Sequence, residues 1–250
     1  MSINKLYRQQ EKIACLTAYD ASFARLIDQA NVDMVLVGDS LGSVIQGKKD
    51  TLGVSMRDML YHSECVRRVV NHSELMSDMP FLSYTTPKQA LKNAGKFMRL
   101  GVDMVKLEGD KTLAPTIRCL VDNYIPVCAH IGLKPQQLRQ LGDYYVHGKT
   151  SQCKQRILDD AKALAEAGAS IILLECVEHE VAAEITEMLN VPTIGIGSGS
   201  ACDGQILVLY DILGISPKIP PFSKNFLRES TSILEALQAY SSAVKEQQYP

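Results

Sequence analysis

The chain has 250 residues, 46% of them hydrophobic and 22% charged, with a formal net charge of -2. That length buries a large core as one α/β barrel or two small domains, and the near-even charge balance offers no basic face to nucleic acid or an acidic membrane surface. No stretch approaches the roughly 18 apolar residues of a membrane span, and residues 1–12 carry no apolar signal core. Seven cysteines, an odd number without Cys-x-x-Cys spacing, fit reduced buried thiols better than disulfides or a zinc site. The expectation is a cytoplasmic α/β protein with small-molecule partners.

In chain order, residues 13–20 form the first predicted strand, ending on Asp20, and 21–29 a helix with Phe23, Leu26 and Ile27 on one face. The second strand is Val32-Asp33-Met34-Val35-Leu36-Val37-Gly38-Asp39-Ser40-Leu41-Gly42. Its unbroken apolar run is that of a strand buried on both faces, as in a parallel sheet, and it hands over at Gly38 to a carboxylate and a hydroxyl. A loop over 42–53 leads to a helix over 54–70. Residues 75–81 make a short third strand carrying Asp78, whose pairing Pro80 ends. Pro87 opens a helix through Leu100, and Gly101 closes it. The fourth strand, 102–109, sets Lys106 and Glu108 on one side.

A helix over 112–123 precedes the fifth strand, 126–132, which carries His130. The turn-rich residues 142–151 lead to a helix over 152–167 stopped by Gly168. In the sixth strand, 170–177, Glu175 interrupts an apolar run. A helix over 180–189, a seventh strand over 192–199 with a glycine-rich exit, and an eighth over 205–213 follow. Ser232-x-x-Glu235 marks a capping box for a final helix with Leu234, Leu237 and Val244 facing inward. Strands alternating with helices, without a linker, predict a single (β/α)₈ TIM barrel over 1–250 with a C-terminal helix. A doubly wound sheet is the alternative, but Gly195-x-Gly197-x-Gly199 comes late and lacks the dinucleotide fingerprint's spacing.

Barrel active sites collect at the C-terminal strand ends, which would bring Asp39, Asp78, Glu108, His130, Glu175 and Ser198 to one mouth. Four carboxylates there repel one another unless a cation sits among them, and hard oxygen donors favour Mg²⁺ over zinc. Each residue also has a plainer reading. Asp39 and Asp78 suit helix N-caps, Glu108 an ion pair with Lys106, and Glu175 a buried ion pair. His130 suits a satisfied core histidine, Ser198 a tight turn, and Cys176 a small buried hydrophobe. Tyr61-His62 sits inside a helix, where packing explains it equally well.

Several words of the sequence resemble the ketopantoate hydroxymethyltransferase family. They are Thr17-Ala18-Tyr19-Asp20, Val37-Gly38-Asp39-Ser40-Leu41-Gly42, Tyr61-His62 and Asp78-Met79-Pro80-Phe81, then Val105-Lys106-Leu107-Glu108-Gly109 and His130-Ile131-Gly132-Leu133-x-Pro135-Gln136. Leu174-Glu175-Cys176, Gly195-Ile196-Gly197-Ser198-Gly199, Asp203-Gly204-Gln205 and Lys224-Asn225-Phe226 continue the match, collinear from about Ile13 to Phe226. The resemblance implies a barrel of the phosphoenolpyruvate/pyruvate type, dependent on Mg²⁺ and assembled as a homodecamer. Its implied reaction moves a one-carbon unit from 5,10-methylenetetrahydrofolate to 3-methyl-2-oxobutanoate, giving 2-dehydropantoate in pantothenate biosynthesis. By motif, Asp39 and Asp78 resemble metal ligands that also meet the substrate, and Glu108 resembles an outer-shell group of the metal. Ser40 and Lys106 resemble groups holding the 2-oxo acid, Glu175 resembles the general base, and His130 is a candidate substrate or folate contact.

Chemistry agrees with these assignments. A 2-oxo acid chelates one Mg²⁺ through its carboxylate and keto oxygen, which favours the enolate left by loss of the C3 proton. Lys106 supplies a point charge for a substrate oxygen, and a desolvated Glu175 has the raised pKa a base needs. Two departures from the family pattern stand out. Gly142-Asp143-Tyr144-Tyr145-Val146-His147-Gly148-Lys149 replaces Gly-Gly-x-x-x-Gln-Gly-Arg, altering a loop expected near the folate, and Gly53 stands where proline is common. The competing readings are a Mg²⁺-dependent 2-oxo-acid lyase of the phosphoenolpyruvate/isocitrate lyase type, active without folate, and a barrel that serves only as an assembly scaffold.

Overall fold

A computed structural model describes residues 3–137 and 145–249. Eight short parallel strands close on themselves in chain order: β1 (Ile13–Thr17), β2 (Met34–Val37), β3 (Glu74–Asp78), β4 (Met104–Glu108), β5 (Val127–Gly132), β6 (Ile171–Glu175), β7 (Thr193–Ile196) and β8 (Gly204–Leu207). β8 pairs back onto β1 with Ile13 opposite Gly204 and Leu16 opposite Leu207, so no strand is left with an open edge.

Between strands the chain returns through α2 (Ala21–Gln29), α4 (Met56–Arg67), α5 (Pro87–Arg99), α6 (Ala114–Val121), α7 (Ser151–Glu166) and α8 (His179–Met188), and it ends in α10 (Ile233–Lys245). Many of these helices start on a short polar side chain that satisfies otherwise orphaned N–H groups. Asp20 accepts from the N–H groups of Ser22 and Phe23. Ser55 and Asp58 form a reciprocal capping box, and Thr86 precedes a proline in the first turn of α5. Ser232 caps the Glu235 N–H as expected, whereas the Glu235 carboxylate bonds to Thr231.

Three elements differ from the sequence reading. Residues 3–8 form a helix, α1 (Ile3–Arg8), and the expected loop after β2 opens with a single helical turn, α3 (Leu41–Val44). The eighth strand stops at Leu207, and α9 (Leu209–Ile212) occupies the rest of its apolar run. A short apolar run has no periodicity that separates strand from helix, and here the register with β1 ends the strand.

Along each strand alternate residues face opposite ways. Val35, Val37, Val105, Leu107, Ile172 and Leu174 join the outer core between sheet and helices. Met34, Leu36, Met76, Met104, Cys128 and Leu173 pack inside the barrel, together with Leu6 from α1. The same inward parity, continued toward the C-terminal ends, belongs to Asp78, Lys106, Glu108, His130 and Glu175. The interior is therefore apolar below and charged above.

Candidate active site

Strand register places the charged layer. Asp78 lies opposite Lys106, and Glu108 opposite His130, while Glu175 pairs with Gly132 at the end of β5. Asp39 sits just past β2, in the turn Gly38-Asp39-Ser40 that leads into α3. A Cβ on Gly38 would fall 2.7 Å from Ser40 Oγ, so a side chain there would displace the Ser40 hydroxyl. Asp39, Ser40, Asp78, Lys106, Glu108, His130 and Glu175 all open onto one mouth cavity of about 1460 Å³.

Lys106 stands at the centre. Its Nζ is 2.8 Å from Asp78 Oδ1, 3.7 Å from Glu108 Oε1 and 3.2 Å from His130 Nδ1. Burial alone would pull its pKa down, but the carboxylates of Asp78, Glu108 and Asp39 outweigh that and hold the ammonium charged. An ammonium only donates, so His130 Nδ1 accepts and the ring proton sits on Nε2. Burial, with Lys106 adding to it, drives the His130 pKa well down, so the imidazole is neutral. Nε2 lies 3.3 Å from Glu175 Oε2 without forming a hydrogen bond.

The carboxylates divide by role. Burial raises Glu175 to about 7, against a smaller downward pull from Lys106, so it can both take and return a proton near neutrality. Burial also raises Glu108 to about 7. Asp39 is pushed well up by burial and then by the neighbouring charges of Asp78 and Glu108. Its Oδ2 accepts from Gln136 Nε2 at 2.9 Å, and Asp78 Oδ2 accepts from the Asp39 N–H at 2.9 Å. Neither aspartate therefore spends its side chain on a helix cap. Asp78 Oδ1 is buried and faces the Lys106 ammonium at 2.8 Å.

Ser40 Oγ lies 2.9 Å from the Tyr19 hydroxyl. Ser198 does not line the cavity: it accepts from the Val177 N–H and donates to the Leu174 carbonyl, a staple across the exit of β6. His62 Nδ1 bonds to the Tyr19 carbonyl, tying α4 to the end of β1. Cys176 is buried and its thiol is pushed up to about 12, chiefly by burial, as suits an inert thiol. Of the altered loop, Gly142, Asp143 and Tyr144 lie outside the described residues. His147 stacks on Tyr145 and its N–H bonds to the Cys176 carbonyl at 2.7 Å. At the other departure, Lys48 Nζ donates to the Gly53 carbonyl.

Two site residues had no role in the sequence reading. Gln136 appears there only inside a family word, and Tyr84 not at all. Their part depends on where the segments after β3 and β5 come to rest, and no spacing encodes that.

An eight-stranded parallel barrel whose mouth gathers carboxylates, a buried lysine and a glutamate poised near pH 7 defines the class: an enzyme acting on a small polar substrate. Residues 1–250 match the family described as ketopantoate hydroxymethyltransferase. The 3-methyl-2-oxobutanoate hydroxymethyltransferase of Nitrosococcus oceani is 51% identical over 250 residues, covering 99% of this chain and 95% of that one. Among solved structures, the fold is similar to phosphoenolpyruvate phosphomutase from Streptomyces platensis subsp. rosaceus (TM-score 0.66, 14% identity, 86% of this chain and 83% of that one). It is also similar to 2,3-dimethylmalate lyase, a member of the PEP mutase/isocitrate lyase superfamily (TM-score 0.62, 17% identity, 82% and 76%). The chain belongs to the ketopantoate hydroxymethyltransferase family and is a transferase.

Proposed function

We propose that this enzyme transfers a hydroxymethyl unit from 5,10-methylenetetrahydrofolate to 3-methyl-2-oxobutanoate, giving 2-dehydropantoate in pantothenate biosynthesis, with Mg²⁺ as its ion. The observation that carries this is Glu175, with a pKa of about 7, sharing one cavity with Asp39, Asp78 and Lys106. Among the described residues no three His, Cys, Asp or Glu side chains form a ready-made metal cage. Mg²⁺ keeps several waters and takes one or two carboxylates plus substrate oxygens. Asp78 Oδ1, buried and paired with the Lys106 ammonium at 2.8 Å, is an oxygen that such an ion would share. Asp39 and Asp78 would hold the ion and Glu108 would stand in its outer shell. When bound, Mg²⁺ draws electron density from the keto group.

The protein's own groups do the rest. Lys106 and Ser40 hold the oxygens of the 2-oxo acid. Glu175 takes the C3 proton, and the resulting enolate carbon bonds to the methylene carbon of the folate. Water supplies the hydroxyl oxygen as both C–N bonds of that carbon break, and tetrahydrofolate leaves carrying the displaced proton and the one that water gives up. His130, neutral and with Nε2–H beside Glu175, offers a donor to a substrate oxygen. The cavity exceeds the roughly 300–1,000 Å³ typical of a drug-sized ligand. Tyr145, Tyr210 and Phe222 on its wall, with Lys48, Lys49 and Lys218, suit a flat heterocycle bearing an anionic tail. On the same reading, chain 1–250 is one barrel domain of a cytoplasmic homodecamer, a view supported by its family membership.

The test is exchange of the C3 proton of 3-methyl-2-oxobutanoate into deuterated water, with Mg²⁺ and without folate. Wild type should exchange and Glu175→Gln should not. Equal exchange by both would remove Glu175 as the base.

A further inference from the structure

We propose that Gln136, backed by Tyr84, is a positioning residue that fixes the Asp39 carboxylate for a divalent cation; this rests on the reading of Asp39 and Asp78 as the ligands. Gln136 lies in the single turn Pro135–Gln137 after β5 and is 5% exposed. Its Nε2 donates to Asp39 Oδ2 at 2.9 Å and to the Met79 carbonyl at 3.1 Å. Its Oε1 accepts from the Tyr84 hydroxyl at 2.6 Å, and its backbone N–H donates to Glu108 Oε2 at 3.0 Å. The amide cannot flip. The Met79 carbonyl only accepts, so the NH₂ end must face it, and both amide protons are committed. Behind the amide, the Tyr84 hydroxyl accepts from the Glu108 N–H at 3.3 Å and lies 3.1 Å from the Glu108 carbonyl. One buried residue thus joins the ends of β2 and β3 through its side chain and the end of β4 through its backbone N–H.

The consequence is that one oxygen of each aspartate is fixed by a donor. Asp78 Oδ2 is engaged by the Asp39 N–H and Asp39 Oδ2 by Gln136, which leaves Asp39 Oδ1 to meet a cation, whereas Asp78 Oδ1 already pairs with the Lys106 ammonium at 2.8 Å and would be shared between the two. Without the amide, the Asp39 carboxylate must be ordered when the ion binds. Loss of such outer-shell partners typically weakens metal affinity about 10–100-fold.

Mn²⁺ binding, read from the electron paramagnetic resonance of the free ion, is measured for wild type, Gln136→Met and Tyr84→Phe, with a thermal melt of each. Gln136→Met should raise the Mn²⁺ dissociation constant about 10–100-fold. Tyr84→Phe should raise it less, because the amide remains. The metal concentration giving half-maximal C3 exchange should move in parallel, a response that a general packing defect does not produce. A folded Gln136→Met that binds Mn²⁺ within about twofold of wild type overturns the proposal, since an outer-shell role predicts more. Should Gln136→Met not fold, unchanged Mn²⁺ affinity in Tyr84→Phe overturns it. A wild type that binds no Mn²⁺ refutes the cation reading itself, and this proposal with it.

Discussion

Glu175 ends an apolar strand, and its raised pKa follows from that position. An ionised carboxylate there loses water that the nearby ammonium replaces only in part. The same shift makes Glu175 a cost to folding at neutral pH. Its folded value of about 7 exceeds the usual 4.5, so the native state binds more protons between those values and wild type loses stability as pH rises through them. In the absence of divalent cation, Glu175→Gln should therefore be more stable than wild type at pH 8, by about 3 kcal/mol. That advantage should shrink toward zero near pH 4.5, as urea unfolding at the two pH values would show. Glu175 was legible from the chain alone because one charge in an apolar run stands out. Gln136 and Tyr84 were not, since a glutamine or tyrosine in a loop has no periodicity to violate.

At the scale of elements, the exits of β5 and β6 form one unit. Gly132 closes β5 with φ +90°, and a Cβ there would lie 2.3 Å from the Glu175 carbonyl. The next residue, Cys176, is itself left-handed at φ +49°. The Glu175 carbonyl accepts from the Leu133 N–H at 2.8 Å, and Ser198 staples the peptides on either side of Glu175 and Cys176. The base is thus held by backbone on a tight corner rather than by its own side chain. Gly132→Ala combines a left-handed alanine with a steric clash, so it should cost about 2–4 kcal/mol. It should also slow C3 exchange, because relief of the clash moves Glu175. A shifted urea midpoint together with a lower exchange rate in folded protein checks both. A helix–strand reading could mark Gly132 as an exit glycine, but the neighbour that forbids a side chain there comes from the following strand.

The whole barrel depends on the first and last strands meeting. Tyr240 in α10, fully buried, points its hydroxyl at the carbonyls of Cys15 in β1 and Gln205 in β8, at 2.8 and 3.0 Å. Lys245 from the same helix pairs with Asp33 just before β2 at 2.8 Å. Tyr240→Phe keeps the ring and removes the proton those carbonyls share. It should cost about 1–2 kcal/mol in urea unfolding, with C3 exchange nearly unchanged because the Tyr240 hydroxyl bonds only to backbone carbonyls of β1 and β8 and to no side chain of the site.

By itself the sequence determined the alternation of strands and helices, most element positions to within a few residues, the strand ends that carry Asp78, Glu108, His130 and Glu175, and the shared side of Lys106 and Glu108, because burial imposes periods of 2 and 3.6 on the chain. It also carried the family likeness that named the chemistry. Only the tertiary structure decided where β8 stops, that α1 sends Leu6 into the barrel floor, and that Gln136 and Tyr84 bind Asp39 to Glu108. Those outcomes depend on strand register and on loops meeting across the mouth, and contacts between residues as distant in the chain as Asp39 and Gln136 leave no local pattern behind.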